Sequence, residues 1–136
     1  MGQGKLKASK IILVNSENKF LFYLRDNKPQ ICYPGYWDLI GGEAEKGENA
    51  LDCVKREIIE EIGITITDIE FIERVYEPEV NTELSIFSGK IDAKVEEIYL
   101  REGQRAEYFS LEQIRGLHTV EIFKKAILGS LEKILR

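Results

Sequence analysis

The chain has 136 residues, 43% of them hydrophobic and 32% charged, with a formal net charge of −5. That length supports one domain, residues 1–136, with a substantial core, and the acidic balance excludes a general basic surface for nucleic-acid polymers. No apolar run approaches the length of a membrane span, and the opening residues lack both a signal-peptide core and the Ser or Thr of a myristoylation signal. Residues 1–7 are expected to be partly flexible.

In chain order, 7–14 reads as a strand whose run Ile11-Ile12-Leu13-Val14 is apolar enough to be buried on both faces. A turn cluster at 15–18 leads to a partner strand at 20–25, where Phe20, Phe22 and Tyr23 pack the core and sheet face. The loop from 26 to 37 contains Pro29, Pro34 and Gly35, and loops of that length inside a compact domain usually carry function. Residues 49–62 read as a helix with Leu51, Val54, Ile58 and Ile62 on its apolar stripe, ended by a left-handed cap at Gly63. Segments 64–66, 69–76, 82–91 and 94–100 read as strands, 111–117 as a short helix, and 120–135 as a C-terminal helix. Ile122, Phe123, Ala126, Ile127, Leu131 and Ile134 of that last helix face inward. Strands on both sides of the first helix, closed by a second, indicate an α/β (α+β) mixed sheet between helices. Cys32 and Cys53 form neither a metal spacing nor a disulfide framework, and both fit a reducing cytoplasm; Cys53 reads as a small apolar residue of its helix.

The stretch from Gly42 to Ile64 is the most informative. Glu57, Glu60 and Glu61 fall at i, i+3 and i+4, so on a helix they point the same way. Like charges packed so closely repel, and a hard divalent cation with oxygen ligands, Mg2+ or Mn2+, removes the repulsion. Gly41-Gly42 just upstream permits a tight loop whose backbone can approach an ion or a phosphate. An acidic amphipathic helix with a solvated face would explain the carboxylates alone, but neither the glycines nor Glu48 and Arg56 at their spacings.

Written out, Gly42-x5-Glu48-x7-Arg56-Glu57-Ile58-x-Glu60-Glu61-x-Gly63-Ile64 resembles the Nudix hydrolase signature at every fixed position. Weaker flanking similarity runs from Lys5 to the C-terminal helix. The resemblance implies the Nudix α/β/α sandwich, with the mixed sheet between the Nudix helix and a C-terminal helix. It also implies Mg2+-dependent cleavage, with Mn2+ as an alternative, of the pyrophosphate bond in a nucleoside diphosphate linked to another moiety. Such a protein binds a small nucleotide derivative, with neither nucleic-acid polymer nor membrane as partner, as a monomer or homodimer.

Carried over residue by residue, Glu57, Glu60, Glu61 and the Gly41 carbonyl would hold the ions, and Arg56 would keep a catalytic carboxylate in place. Glu48, at the head of the helix, suits its dipole. Glu102, in Arg101-Glu102-Gly103-Gln104, resembles the distant glutamate that completes the metal site in mutator-type members, which clean oxidised dGTP. Arg25 stands where similar proteins carry a substrate-phosphate arginine, and Gly42 lies where the backbone would meet substrate. Tyr33, Tyr36 and Trp37 precede the glycines, where a base could stack on one of them; in similar proteins Trp37 more often packs under the loop. Ile40 replaces the proline usual before the glycine pair, which loosens that segment without removing a ligand. His118 falls where mutator-type proteins read the oxidised base with an amide, and a histidine does not present the same donor–acceptor pair. Two other readings stand beside the hydrolase: a nucleotide-binding sensor without useful catalysis, and a metal-dependent isomerase of diphosphate-bearing lipids.

Overall fold

The computed structural model describes residues 5–136, so the expectation for the opening segment falls largely outside it at 1–4. One seven-stranded mixed sheet organises the chain. Strand β1 (Leu6–Val14) is central: it runs parallel to β6 (Thr82–Lys90) and antiparallel to β2 (Phe20–Leu24) and β4 (Ile40–Glu43). Strand β5 (Thr67–Glu77) lies outside β6, and β3 (Trp37–Asp38) and β7 (Arg105–Phe109) both pair with β2.

The period of two along β1 divides the interior into two cores. Ile12 and Val14 join Phe20, Phe22, Leu39 and Ile86 beneath α2 (Leu111–Arg115), α3 (Glu121–Gly129) and α4 (Leu131–Ile134). Ile11 and Leu13 point the other way, joining Leu21, Ile40 and Phe87 beneath Val54, Ile58 and Ile62 of α1 (Ala50–Glu61) and its end. The sheet is therefore sandwiched between the acidic helix and the C-terminal helices, as expected, and Ile11 to Val14 are buried on both faces.

Helix α1 starts where Asn49 turns its side chain back to accept the Asp52 N–H at 2.8 Å, and stops where Gly63 adopts φ 63°. Several expectations need correction. Leu51 lies off the buried stripe and is 40% exposed, and Cys53 takes the inward place. Segment 94–100 is no strand: Lys94 opens a 3-10 turn over Val95–Glu97, closed by the Glu97 carboxylate on the Lys94 N–H. Segment 64–66 is extended but unpaired, with Ile64 and Ile66 packed on the second core. The C-terminal helix breaks at Ser130, after Gly129, where two poor helix formers follow each other. The Gly41-Gly42 pair is not a loop at all but the middle of β4, in register with Lys10 and Ser9.

Asn49→Ala should lower the unfolding free energy by about 1 kcal/mol through loss of the cap. A urea midpoint equal to that of the wild type would show that α1 does not depend on it.

Candidate active site

The floor of the site is β4. Gly41 sits at φ 147°, and a Cβ there would run into the Ser9 carbonyl and the Lys10 backbone of β1. Only glycine permits that approach. At Gly42 a Cβ would lie 2.5 Å from Glu57 Oε1, so this glycine leaves room for a carboxylate rather than for a backbone turn. The Cys53 thiol donates to the Gly42 carbonyl at 3.4 Å and the Ser9 hydroxyl to the Ala50 carbonyl at 2.9 Å, tying α1 to the floor.

Helix α1 lays Glu57 and Glu61 onto that floor. Glu61 is only 6% exposed and accepts the Gly41 N–H at 3.0 Å. Burial is the main reason its pKa is raised to about 8; nearby Glu102 and Glu57 push the same way, and Lys10 and the Gly41 N–H oppose. Glu57 is also raised, first by burial, with Arg56 and Lys10 opposing.

Arg56 is clamped by carboxylates. Nε and Nη2 donate to Glu48 at 2.7 and 2.9 Å, Nη1 to Glu57 at 2.8 Å and to Glu60 at 3.0 Å, and Nη2 also to the Glu43 carbonyl at 3.1 Å. The hydrogen bonds from Arg56 hold Glu48 down at about 2. Glu48 is therefore the anchor of Arg56 more than a dipole partner, since Asn49 supplies the cap. Glu60 departs from its neighbours: its side chain is 55% exposed and turned to Arg56 instead of the floor. Glu45 also comes within 3.6 Å of Arg56.

Glu102 arrives on the loop after the 3-10 turn, which is pinned on both sides. The Arg101 N–H donates to the Glu61 carbonyl at 3.2 Å, the Gln104 N–H to the Leu24 carbonyl at 2.8 Å, and Gly103 packs on Tyr23. The Glu102 carboxyl is thereby brought near enough to help raise the pKa of Glu61.

Next to these acids lies a cleft of about 560 Å3, lined among others by Lys10, Arg25, Tyr33, Asp38, Gly42 and Phe123. Arg25 donates Nη1 to Asp38 at 3.0 Å and Nε to the Cys32 carbonyl at 2.8 Å. Asp38 and Lys10 escaped the sequence reading; a lysine inside an apolar strand and an aspartate between Trp37 and Leu39 were the available signals. Trp37 packs edge-on to Phe109 with centroids 4.9 Å apart, away from the cleft. Tyr33 does line it, with its hydroxyl donating to Glu79 at 3.0 Å. Exposed His118 stacks on Tyr36 with centroids 3.9 Å apart.

Among the described residues no three acidic, histidine or cysteine side chains are already drawn in tightly enough to hold an ion. The donor set nevertheless fits a hard cation. It consists of carboxylates, two of them desolvated and raised in pKa, above a glycine strand that admits them closely.

A family model described as the NUDIX domain matches residues 5–129. The chain belongs to the Nudix family. Among curated relatives, the NAD-capped RNA hydrolase NudC of Pseudomonas aeruginosa is 26% identical over 144 aligned residues, covering 96% of this chain and 49% of that protein. The 8-oxo-dGTP diphosphatase of Buchnera aphidicola is 40% identical over 57 residues, 40% of this chain and 45% of that one. The chain thus spans about half the length of these curated relatives. Among solved structures, the MutT protein of Methanosarcina mazei superposes with a TM-score of 0.76 at 23% identity, covering 95% of this chain and 94% of that one, which shows the Nudix fold.

A carboxyl whose folded pKa is raised binds its proton more tightly folded than unfolded. Glu61 therefore stabilises nothing once ionised: its penalty is absent below about 4.5, grows as pH rises, and is complete above about 8. In EDTA, Glu61→Gln should gain on the wild type between those limits, by at most ~1.4 kcal/mol per pH unit. Parallel stability–pH curves for the two proteins would show that Glu61 is not strained.

Proposed function

We propose that this Nudix domain is a pyrophosphohydrolase that cleaves the diphosphate of a nucleoside diphosphate linked to another moiety, using Mg2+, with Mn2+ able to replace it. The observation that carries this reading is the pair of desolvated carboxylates, Glu57 and Glu61, laid on the Gly41-Gly42 strand beside a cleft large enough for a nucleoside. Glu57, Glu60, Glu61, Glu102 and the Gly41 carbonyl are the proposed metal ligands; Glu60 would join by leaving Arg56. When bound, the metal supplies charge stabilisation for the anionic transition state and lowers the pKa of a water nucleophile.

The chain's own residues do the rest. Arg56, held by Glu48, fixes Glu57 in place while remaining free of the cleft. Glu61 is oriented by the Gly41 N–H, and its backbone carbonyl holds the loop that delivers Glu102. Arg25 faces the cleft as a phosphate partner, and Gly42, whose missing side chain makes room for Glu57, borders the cleft where its backbone can meet substrate. No helix among the described residues is long and apolar enough to cross a membrane. The free thiols of Cys32 and Cys53 favour a cytoplasmic location. The curated relatives act, by name, on capped RNA and on an oxidised nucleotide, so both ligand types belong among the candidates.

The test is phosphate release, through a coupled pyrophosphatase or phosphatase, over NTPs, oxidised dNTPs, nucleotide sugars, ADP-ribose, NADH, dinucleoside polyphosphates and an NAD-capped RNA, with Mg2+ and with Mn2+. Turnover of at least one is expected, and tight binding with no cleavage would favour the sensor reading instead. For the substrate found, Glu61→Gln should lose activity by about a thousandfold or more, the scale of a lost catalytic charge. Glu112→Gln, on α2 across the sheet from α1, is the control and should match the wild type. Near-normal activity of Glu61→Gln would assign the chemistry to other carboxylates.

A further inference from the structure

The floor of the cleft carries more positive charge than its own carboxylate can neutralise. Lys10 Nζ and Arg25 Nη1 both donate to Asp38 Oδ2 at 3.0 Å, with side-chain exposures of 13% and 23% against 7% for Asp38. Two cations on one aspartate leave one unit of charge in a half-buried place, and such charge is costly unless something answers it.

Both oxygens of Asp38 are already engaged within the protein. Its Oδ2 also accepts the Tyr23 hydroxyl at 3.2 Å, and Oδ1 takes the Leu39 N–H at 2.8 Å. Its role is to hold the two cations. Lys10, in contrast, has three N–H donors and uses two, to Asp38 and to the Leu39 carbonyl at 3.2 Å. The third meets no acceptor among the described residues, and Lys10 lines the cleft together with Arg25 and Gly42.

Offsetting the acidic cluster is the competing explanation, since Lys10 lowers both Glu57 and Glu61. Both carboxyls nevertheless remain raised, so the lysine does not neutralise them. It stands at the border between the acids and the cleft, where an anion reaching from one to the other must pass.

We propose that Lys10, positioned with Arg25 by Asp38, forms an anion subsite that holds a phosphate group of the substrate. The inference rests on reading this cleft as the substrate cleft. It concerns residues outside the Nudix signature, and the subsite acts without help from metal.

Inorganic pyrophosphate in EDTA is therefore the probe, by calorimetry, with no hydrolysis required. The wild type should bind it. Lys10→Gln should bind about tenfold more weakly or worse, the worth of one charged hydrogen bond, and Lys10→Arg should recover affinity to within about threefold of the wild type because charge is kept. Should Lys10→Gln not fold, Lys10→Met, which keeps the stem of the side chain and leaves the Asp38–Arg25 pair intact, carries the same expectation. No binding by the wild type, undiminished binding by either neutral variant, or equal losses in the Arg and Gln variants overturns the proposal. Hydrolysis of the nucleotide panel without pyrophosphate binding would overturn the subsite alone. Pyrophosphate binding without hydrolysis would overturn the hydrolase reading alone.

Discussion

Everything about the site depends on one unfavourable placement: the Glu61 carboxyl is taken out of water and laid against the Gly41 N–H. One hydrogen bond from a neutral amide does not repay desolvating a carboxylate. The fold enforces the position because Val54, Ile58 and Ile62, on the same helix, are committed to the core beneath β1 and β4. The hydrophobic face of α1 therefore carries its acids into a strained environment, and the glycines of β4 remove the steric objection. Stability given up in this way is the usual mark of a functional site.

Around that placement the charges are sorted into two groups. On one side Arg56 gathers Glu48, Glu57 and Glu60, which keeps the carboxylates from repelling one another and leaves Glu61 without a direct cationic partner. On the other side Asp38 gathers Lys10 and Arg25. An excess of negative charge thus lies next to an excess of positive charge. That arrangement suits a ligand which brings both a cation and a polyphosphate.

The sequence was readable where spacing alone carries information. Three carboxylates within one helical turn have no packing reason to exist, and Asn49 and Gly63 mark the helix ends by local chemistry. The two-sided burial of Ile11 to Val14 was likewise written in an unbroken apolar run. What stayed hidden depends on partners far apart in the chain. β4 is short and carries two glycines, so only its pairing with β1 makes it a strand. Lys10 and Asp38 are 28 positions apart, and nothing local to either says that they meet. The orientation of Glu60 toward Arg56 depends on Glu48 and Glu57 competing for the same guanidinium. Segment 94–100 had the apolar content of a strand, but Glu97 folds back on the Lys94 N–H and closes its first part into a 3-10 turn.

We propose that the strain on Glu61 exists to be relieved by a divalent cation. Mn2+ titration by calorimetry at about pH 7, in two buffers of different ionisation enthalpy, tests it most directly. With Glu61 raised to about 8, binding should release a proton, seen as a buffer-dependent heat that disappears in Glu61→Gln. Mn2+ binding of equal affinity and equal proton release in both proteins, or no binding by the wild type, would contradict the account.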